Sequence, residues 1–296
     1  MVDEAIEKAN HLIEALKWIR QYRGKYSVIK IGGNLLEDEK AVDHLLVDIV
    51  FMESVGMKPV LIHGGGSVVS KAMKEAGLEP RFVQGRRYTD AESLKIVVKM
   101  LGEVVNSQVV QKINNYGGMA QSLSVCFGSN ILFGRKLFLR DENCRPIDLG
   151  YVGDVTRVNT EPIEVLCNQG IVPVIPSIAM LDDGGSQPLN INADTAAIAV
   201  AKALKSEKLV FVSEVNGVRT NPNDPDSMIE SVTAEKAREM LVSGTIQGGM
   251  IPKIQACLEM LEQGVQKIHI INGHTRHSLL LEIFTSSGVG TEITKR

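Results

Sequence analysis

Apolar side chains return at near-helical spacing from Ala5 to Tyr22, at Ile6, Ala9, Ile13, Leu16 and Ile19, with polar residues between them. That period predicts an amphipathic helix, and Gly24 supplies its stop signal. The pattern then changes. YSVIKIGG reads as a strand, HLLVDIVFMESVG as a helix, PVLIHGGG as a second strand and SVVSKAMKEAGL as a second helix. The order β-α-β-α predicts an α/β protein with a parallel sheet and helices on its faces. Between about Gly117 and Asn159 short apolar segments alternate with turn signals, as in SLSVCFGSN, ILFGRKLFL and GYVGDVTRV, which predicts hairpins beside the main sheet. The parallel pattern resumes with GIVPVIPSIAM and KLVFVSEV as strands separated by the helix ADTAAIAVAKAL. Two further helices, TAEKAREMLVSG and IPKIQACLEMLEQG, and the strand KIHIIN follow. One sheet is expected to run through both halves, with a change of role near residue 203.

Composition narrows the function classes. Of 296 residues, 44% are hydrophobic and 23% charged, enough apolar material for one large or two fused domains. With 32 basic against 35 acidic residues, no global field draws the chain to nucleic acid or to an anionic membrane. An anionic ligand is therefore expected to be small and held in a site. Cys126, Cys144, Cys167 and Cys257 are scattered, with no zinc-ligand spacing, which fits a reducing compartment. The first residues mix acids with periodic apolar positions, and no apolar run reaches membrane-spanning length. A cytoplasmic protein without nucleic-acid or membrane partners is expected.

Four stretches carry candidate chemistry. In Val28-Ile29-Lys30-Ile31-Gly32-Gly33 a lysine lies inside an apolar strand; it either reaches water from a strand edge or meets an anion. In His63-Gly64-Gly65-Gly66, a turn between strand and helix, main-chain amides and the helix dipole can face an anion, although a tight turn alone also uses glycine. The P-loop pattern is absent, since no Gly-Lys-Ser/Thr follows, so positive charge must come from elsewhere. In Asn190-Ile191-Asn192-Ala193-Asp194, Asn192 or Asp194 is either a helix cap or a carboxylate holding lysines in place. In Gly248-Gly249-Met250-Ile251-Pro252-Lys253 the lysine falls near a helix N-terminus, where the dipole disfavours a cation unless an anion arrives there. Two lysines, two glycine loops and one aspartate make a set suited to phosphoryl transfer, which needs in-line positioning and charge neutralisation more than covalent chemistry. A carboxylate acceptor is already ionised near neutrality and needs no catalytic base.

Taken together, VIKIGGN, LIHGGG, GRRYTD, LNINADTAA and GGMIPK resemble the amino acid kinase family, and within it the N-acetylglutamate kinases, in order and spacing from about Lys25 onward. The resemblance implies a three-layer αβα sandwich with an open, mainly parallel central sheet. It implies a lobe over residues 25–203 for the acyl amino acid and a lobe over 204–296 for ATP and arginine. The implied reaction is ATP-dependent phosphorylation of the side-chain carboxylate of N-acetyl-L-glutamate, the second step of arginine biosynthesis. By the resemblance Lys30 contacts the transferring phosphate, with Gly33 in the same loop. Gly65 and Gly66 offer amides to substrate and γ-phosphate, while Arg87 clamps a substrate carboxylate, a task that suits guanidinium geometry. Asn190 also binds substrate, Asp194 orients the two lysines, and Lys253 is the second catalytic lysine. ATP is matched by Glu214, Val215, Asn216, Gly217, Val218 and Arg219, and by Thr245, Ile246 and Gln247. Magnesium is expected with the ATP phosphates, without a dedicated protein cage and with no tightly bound cofactor. The chain departs from the family at Ser67, where many relatives have proline, and at Glu214, where aspartate is usual.

The two ends resemble the arginine-inhibited branch of those kinases. There, an N-terminal helix, here residues 1–24, interlocks dimers into a ring-shaped homohexamer, and arginine binds near the C-terminal strand and tail. Glu282 and Gly288 are the candidates for that pocket. Trp18 and Asn272 stand where relatives often have tyrosine and aspartate. The plainer alternative is that the helix packs on its own subunit. A PII-type signalling protein is a partner of some relatives, and nothing in this sequence supports one here. Two rival functions remain: a kinase of a related acceptor such as carrier-bound aminoadipate, and a non-catalytic metabolite-sensing homologue. The second is disfavoured because both lysines and the aspartate are present.

Overall fold

The computed structural model describes residues 2–32, 34–215, 217–221, 224, 227–246, 250–262, 265–285 and 288–295. Helix α1 (Val2–Tyr22) precedes β1 (Tyr26–Ile31), α2 (Glu39–Ser54), β2 (Lys58–His63) and α3 (Gly66–Glu75). A short hairpin, β3 (Phe82–Val83) and β4 (Arg86–Arg87), leads into a long helical run made of α4 (Ala91–Val97), a π-helical stretch (Val98–Val105) and α5 (Asn106–Asn115). Next come β5 (Ala120–Ser122), β6 (Leu132–Arg140), β7 (Pro146–Val158) and α6 (Glu161–Asn168). They are followed by β8 (Val172–Pro176), β9 (Ile178–Leu181), β10 (Pro188–Ile191), α7 (Ala193–Ala203) and β11 (Lys208–Ser213). The chain closes with β12 (Ser231–Thr233), α8 (Ala234–Val242), α9 (Met250–Glu262), β13 (Lys267–Asn272), α10 (Ser278–Phe284) and β14 (Thr291–Thr294).

Eight strands form one sheet in the order β12-β14-β13-β11-β1-β2-β8-β5. From β13 to β5 every neighbouring pair is parallel, and only β14 turns back against β13. Parallel strands are buried on both faces, and period-two alternation sorts their side chains. Val28, Val60, Ile62, Leu209, Phe211, Ile268 and Ile270 join the core beneath α7 and α9. Ile29, Ile31, Leu61, Val210, Val212 and Ile271 join the opposite core beneath α2, α5 and α10. The result is three layers, αβα. Small residues Ala196, Ala197 and Ala201 are fully buried on α7, which lets that helix lie close to the sheet.

β1 sits at the middle, with β2 on one side and β11 on the other. The chain moves outward one way through β2 and β8, then returns to β11 and moves out the other way. In open α/β sheets the crevice at the carboxyl ends of strands, where the order reverses, is the ligand position. The segment expected as a single strand over 170–180 divides at Ser177. β8 stays in the sheet, while β9 joins a closed ring of strands in the order β10-β7-β6-β9 beside it. That ring contains the hairpin pattern expected between Gly117 and Asn159. Among the described residues no helix is long and apolar enough to cross a membrane.

The long helical run over residues 91–115 has no counterpart in the sequence-based expectation. Its π-helical stretch shifts the bonding to i→i+5, and the Cys126 thiol donates to the Val98 carbonyl at its start, at 3.6 Å. Gly102 is the contact point: a Cβ there would lie 2.5 Å from Cys126 Sγ and 3.0 Å from Ser124 Oγ. Alanine is favoured over glycine in a helix by about 0.5–1 kcal/mol, whereas overpacking costs about 1–3 kcal/mol. The steric term is the larger, so Gly102→Ala is expected to lower the urea midpoint. Adding Cys126→Ala removes the nearest obstacle and is expected to recover much of the loss; full additivity of the two substitutions would contradict this packing.

Candidate active site

Strand alternation brings the charged groups together. Lys30 has the parity of Val28, so it faces the layer of α7 and α9, close to the carboxyl end of β1. The first turn of α7 supplies its partner. Asn192 is the cap, its Oδ1 accepting from Asp194 N at 2.9 Å and Thr195 N at 3.1 Å. Capping therefore does not consume the Asp194 carboxylate, which pairs with Lys30 Nζ at 2.7 Å. The contact is ionic, and the carboxylate oxygen involved has no aligned hydrogen-bond partner among the described residues. Lys253 projects from the start of α9 on the same face. Burial holds its ammonium below the ordinary lysine value, Asp194 opposes that shift, and the nearby Lys30 charge adds to it.

Lys30, Gly32, Asn34, Glu214, Val215 and Lys253 line one cavity of about 290 Å³ with Leu35, Val212 and Ser213. At Gly32 a Cβ would press on Val212 O at 3.3 Å and lie in ordinary contact, 3.6 Å, with Lys30 Nζ. A second cavity, about 440 Å³, is lined by Gly64, Gly65, Gly66, Arg87, Asn190 and again Asn34, so the two meet at that asparagine. α3 begins at Gly66 with no side-chain cap, which leaves its first amides directed at this space.

The β3–β4 hairpin places Arg87. Gln84 and Gly85 occupy its turn at φ 48° and 76°, the paired positive angles of a type I′ turn, and the register sets Phe82 opposite Arg87. The guanidinium lies 4.8 Å from the Phe82 ring centroid. It donates to Gly66 O and Ser70 Oγ, both at 2.7 Å, and to Met73 Sδ at 3.3 Å. Three of the five donors of an arginine are thus engaged in fixing it, and the group is 8% exposed. Arg86 also lines the cavity but is less buried. Asn190 donates to Thr89 Oγ1 at 3.0 Å, which in turn donates to Arg87 O at 3.0 Å, so cavity-lining residues on two elements are tied together.

Not every candidate reaches these cavities. Gly217 packs on Thr291, Val218 is buried with its amide donating to Thr291 Oγ1 at 2.8 Å, and Ile246 is in the core. Arg219 bridges to Met228, and Thr245 lines a separate groove of about 700 Å³ with Thr220 and Lys236. Gly33, Asn216 and Gln247 lie outside the described residues, as do Gly248 and Gly249. Glu282 and Gly288 are elsewhere. Glu282 accepts from Val289 N at 2.9 Å and Gly290 N at 3.0 Å and pairs with His269 Nδ1 at 2.7 Å. His269 Nε2 lies 3.1 Å from Lys208 Nζ, whose pKa burial lowers to about 8. Lys208 opens β11 while Ser213 closes it, so this cluster is roughly 17 Å from the paired cavities at about 3.3 Å per strand residue. Sequence reading passed over Asn34, Ser70 and Asn106; only Asn34, directly after the glycine pair, stood beside a recognisable motif.

Among the described residues no three His, Cys, Asp or Glu side chains gather at metal-ligand spacing. A model of the amino acid kinase family matches residues 25–272. The chain is 42% identical to an acetylglutamate kinase of Akkermansia muciniphila, over 99% of this chain and 98% of that one. It is 45% identical to an acetylglutamate kinase of Methanocaldococcus jannaschii with the same coverage. The solved N-acetylglutamate synthase of Neisseria gonorrhoeae, complexed with coenzyme A and N-acetyl-glutamate, aligns at TM-score 0.84 and 27% identity over 97% of this chain. This chain spans 63% of that enzyme's length. The same synthase complexed with L-arginine aligns at TM-score 0.79 and 26% identity, over 97% of this chain and 65% of that one.

The electrostatics of the charged trio generate one prediction. Asp194→Asn removes the attraction that props up the Lys253 ammonium while burial and Lys30 remain, so the Lys253 pKa should fall further. NMR titration of the labelled lysine side chain reads it; an unchanged or higher value would contradict the arrangement.

Proposed function

The chain belongs to the amino acid kinase family, and from that premise we propose that it transfers the γ-phosphoryl group of MgATP to the side-chain carboxylate of N-acetyl-L-glutamate, in the cytoplasm, as the second step of arginine biosynthesis. The observation that carries this reading is the meeting of two cavities at Asn34, one bearing Lys30 and Lys253, the other Arg87 and Asn190. The names of the relatives, acetylglutamate kinases over nearly the whole chain, support this acceptor over others.

The roles proposed are those the resemblance implies, and the geometry supports them. The P–O bond to the ADP leaving group breaks as a new P–O bond forms to the acceptor carboxylate, and no proton moves because that carboxylate is ionised near neutrality. Charge spreads over the phosphoryl oxygens in transit, and Lys30 and Lys253 neutralise it from the face of the sheet beneath α7 and α9. Asp194 holds Lys30 in place and opposes the burial that lowers the Lys253 pKa. Amides of Gly65 and Gly66 face the same oxygens, Arg87 holds the acceptor's other carboxylate, and Asn190 orients it. Magnesium enters with the nucleotide as part of the substrate and offsets the β- and γ-phosphate charge. The division of labour proposed is a lobe over 25–203 for the acyl amino acid and one over 204–296 for ATP, with Glu214 and Val215 lining the cavity on the nucleotide side.

Arginine is proposed as a feedback inhibitor bound beside Glu282 and Gly288, where a buried carboxylate abuts the chain end and where the cation Lys208 rests on the Tyr22 ring of α1 at 4.7 Å. The arginine-bound synthase of the same fold supports this. A homohexamer is proposed because α1 leaves Ile6, Leu12, Ile13 and Leu16 exposed while Trp18, Ile19 and Tyr22 pack on the body of the chain. An apolar helix face of this kind is suited to a second copy.

A coupled ADP-release assay tests the reaction. N-acetyl-L-glutamate should support turnover far better than glutamate or aminoadipate, and Lys253→Ala should lower kcat by about 100- to 1,000-fold, the scale for losing one preorganised charge-stabilising group. Preference for another acceptor, or equal ADP release without acceptor, would overturn the reading. In the same assay millimolar arginine should raise the half-saturating acceptor concentration. Light scattering should find a hexamer that Ile13→Asp reduces to dimers, and a monomeric wild type would remove the oligomer proposal.

A further inference from the structure

His63 ends β2 and has the parity of Leu61, so its ring enters the core beneath α5 and not the cavity side; it is fully buried. Its Nδ1 lies 3.0 Å from Gly64 O and its Nε2 3.0 Å from Asn106 Nδ2. Asn106 is the first residue of α5, directly after the π-helical stretch, and its Nδ2 also lies 3.1 Å from Val174 O. A main-chain carbonyl can only accept, so the Asn106 atom facing Val174 must be the amide nitrogen. That nitrogen's second hydrogen then points at His63 Nε2, which must carry the lone pair. The imidazole proton is thereby assigned to Nδ1, where it donates to Gly64 O. Burial keeps the ring neutral, its pKa lowered to about 4, so this tautomer persists at neutral pH.

The consequence lies one bond further on. In a trans peptide the C=O and the following N–H point in opposite directions. With the Gly64 carbonyl drawn inward to His63, the Gly65 N–H is turned outward, into the cavity that Gly64, Gly65 and Gly66 line. The residues on either side are pinned: Gly64 N donates to Ile31 O at 3.3 Å, Ser177 N donates to His63 O at 3.1 Å, Gly64 packs against Ala193 with 3.2 Å for a Cβ, and Gly65 O accepts from Val69 N at 2.9 Å. The peptide between two glycines is nonetheless cheap to flip, since neither carries a Cβ. We propose that His63, with its tautomer set by Asn106, is a positioning residue that holds the Gly64–Gly65 peptide with its N–H aimed at an anionic oxygen of the reacting groups. This rests on the phosphoryl-transfer reading of the site.

Two substitutions separate positioning from packing. His63→Asn places an N–H donor near the position of Nδ1, whereas His63→Leu provides none. Both leave Asn106 one acceptor short, so any loss of melting temperature common to the two cannot produce a difference in rate. His63→Leu should lower kcat by about 100-fold, the scale of one misplaced charge-stabilising donor, with KM for both substrates little changed. His63→Asn should restore most of that kcat. Crystal structures of the two variants give the readout that does not depend on the reaction: the Gly64 carbonyl should be turned toward the cavity in His63→Leu and inward in His63→Asn. Equal kcat losses in the two variants, or an inward carbonyl in His63→Leu, would overturn the proposal. Absence of turnover by the wild type with N-acetyl-L-glutamate would instead count against the reaction, and the two crystal structures would still decide the role of His63.

Discussion

A lysine ammonium near the end of a buried parallel strand is stable only if a carboxylate meets it, and most of the site is arranged around that requirement. Lys30 sits between β11 and β2, with Phe211 and Ile62 as its register partners, in surroundings that offer little hydration. Asp194 meets it at 2.7 Å from the first turn of α7. Because Asn192 takes over the capping of that helix, the aspartate is free to act on the lysine. The same carboxylate reaches electrostatically to Lys253 across the cavity. Glu214 lines the same cavity and adds a weaker attraction, so two carboxylates let two ammonium groups share a partly buried space where they would otherwise repel each other.

The location of that charge cluster is a matter of topology. β1 is both the first strand and the central one, and the sheet grows outward from it in two directions. Its carboxyl end is therefore where loops from β2 and from β11 diverge, leaving a crevice with the glycine turn on one side and Glu214 and Val215 on the other. The effector cluster proposed around Glu282 lies at the opposite end of the same strands. β11 begins at Lys208 and ends at Ser213, so a rigid parallel strand links the two regions. A change in how α1 rests on Lys208 would bear directly on the strand that borders Lys30.

Much of this was legible from residues alone. The apolar runs VIKI and VLIH, each followed by glycines and a helical period, specified the parallel sheet through their β-α-β-α order, while the residues alone left open whether Lys30 met water or an anion. Other features were not. The run from Ala91 to Asn115 was not recognised as a helix: Gly102 interrupts it, the π-helical stretch shifts its period, and polar Asn106 is buried on its inner side. Ser177 divides an apolar run that reads as one strand, because β9 must leave the sheet to close the ring with β6 and β10. Whether Asn192 or Asp194 caps α7 was open in the sequence, since both are good caps; only the three-dimensional position of Lys30 distinguishes them. Val218 and Ile246 lie in stretches matched to the nucleotide yet belong to the core. Alternation along a short loop cannot tell a lining residue from its neighbour.

The central claim is that the two ammonium groups converge on the phosphoryl unit in transit. It is tested most directly by a crystal structure with MgADP, aluminium fluoride and N-acetyl-L-glutamate. The account predicts planar aluminium fluoride between ADP and the acceptor carboxylate, with Lys30 Nζ and Lys253 Nζ both at charge-assisted hydrogen-bond distance, about 2.7–2.9 Å, from its ligands. A complex in which either nitrogen turns away from that group while the nucleotide and acceptor are bound in line would contradict it.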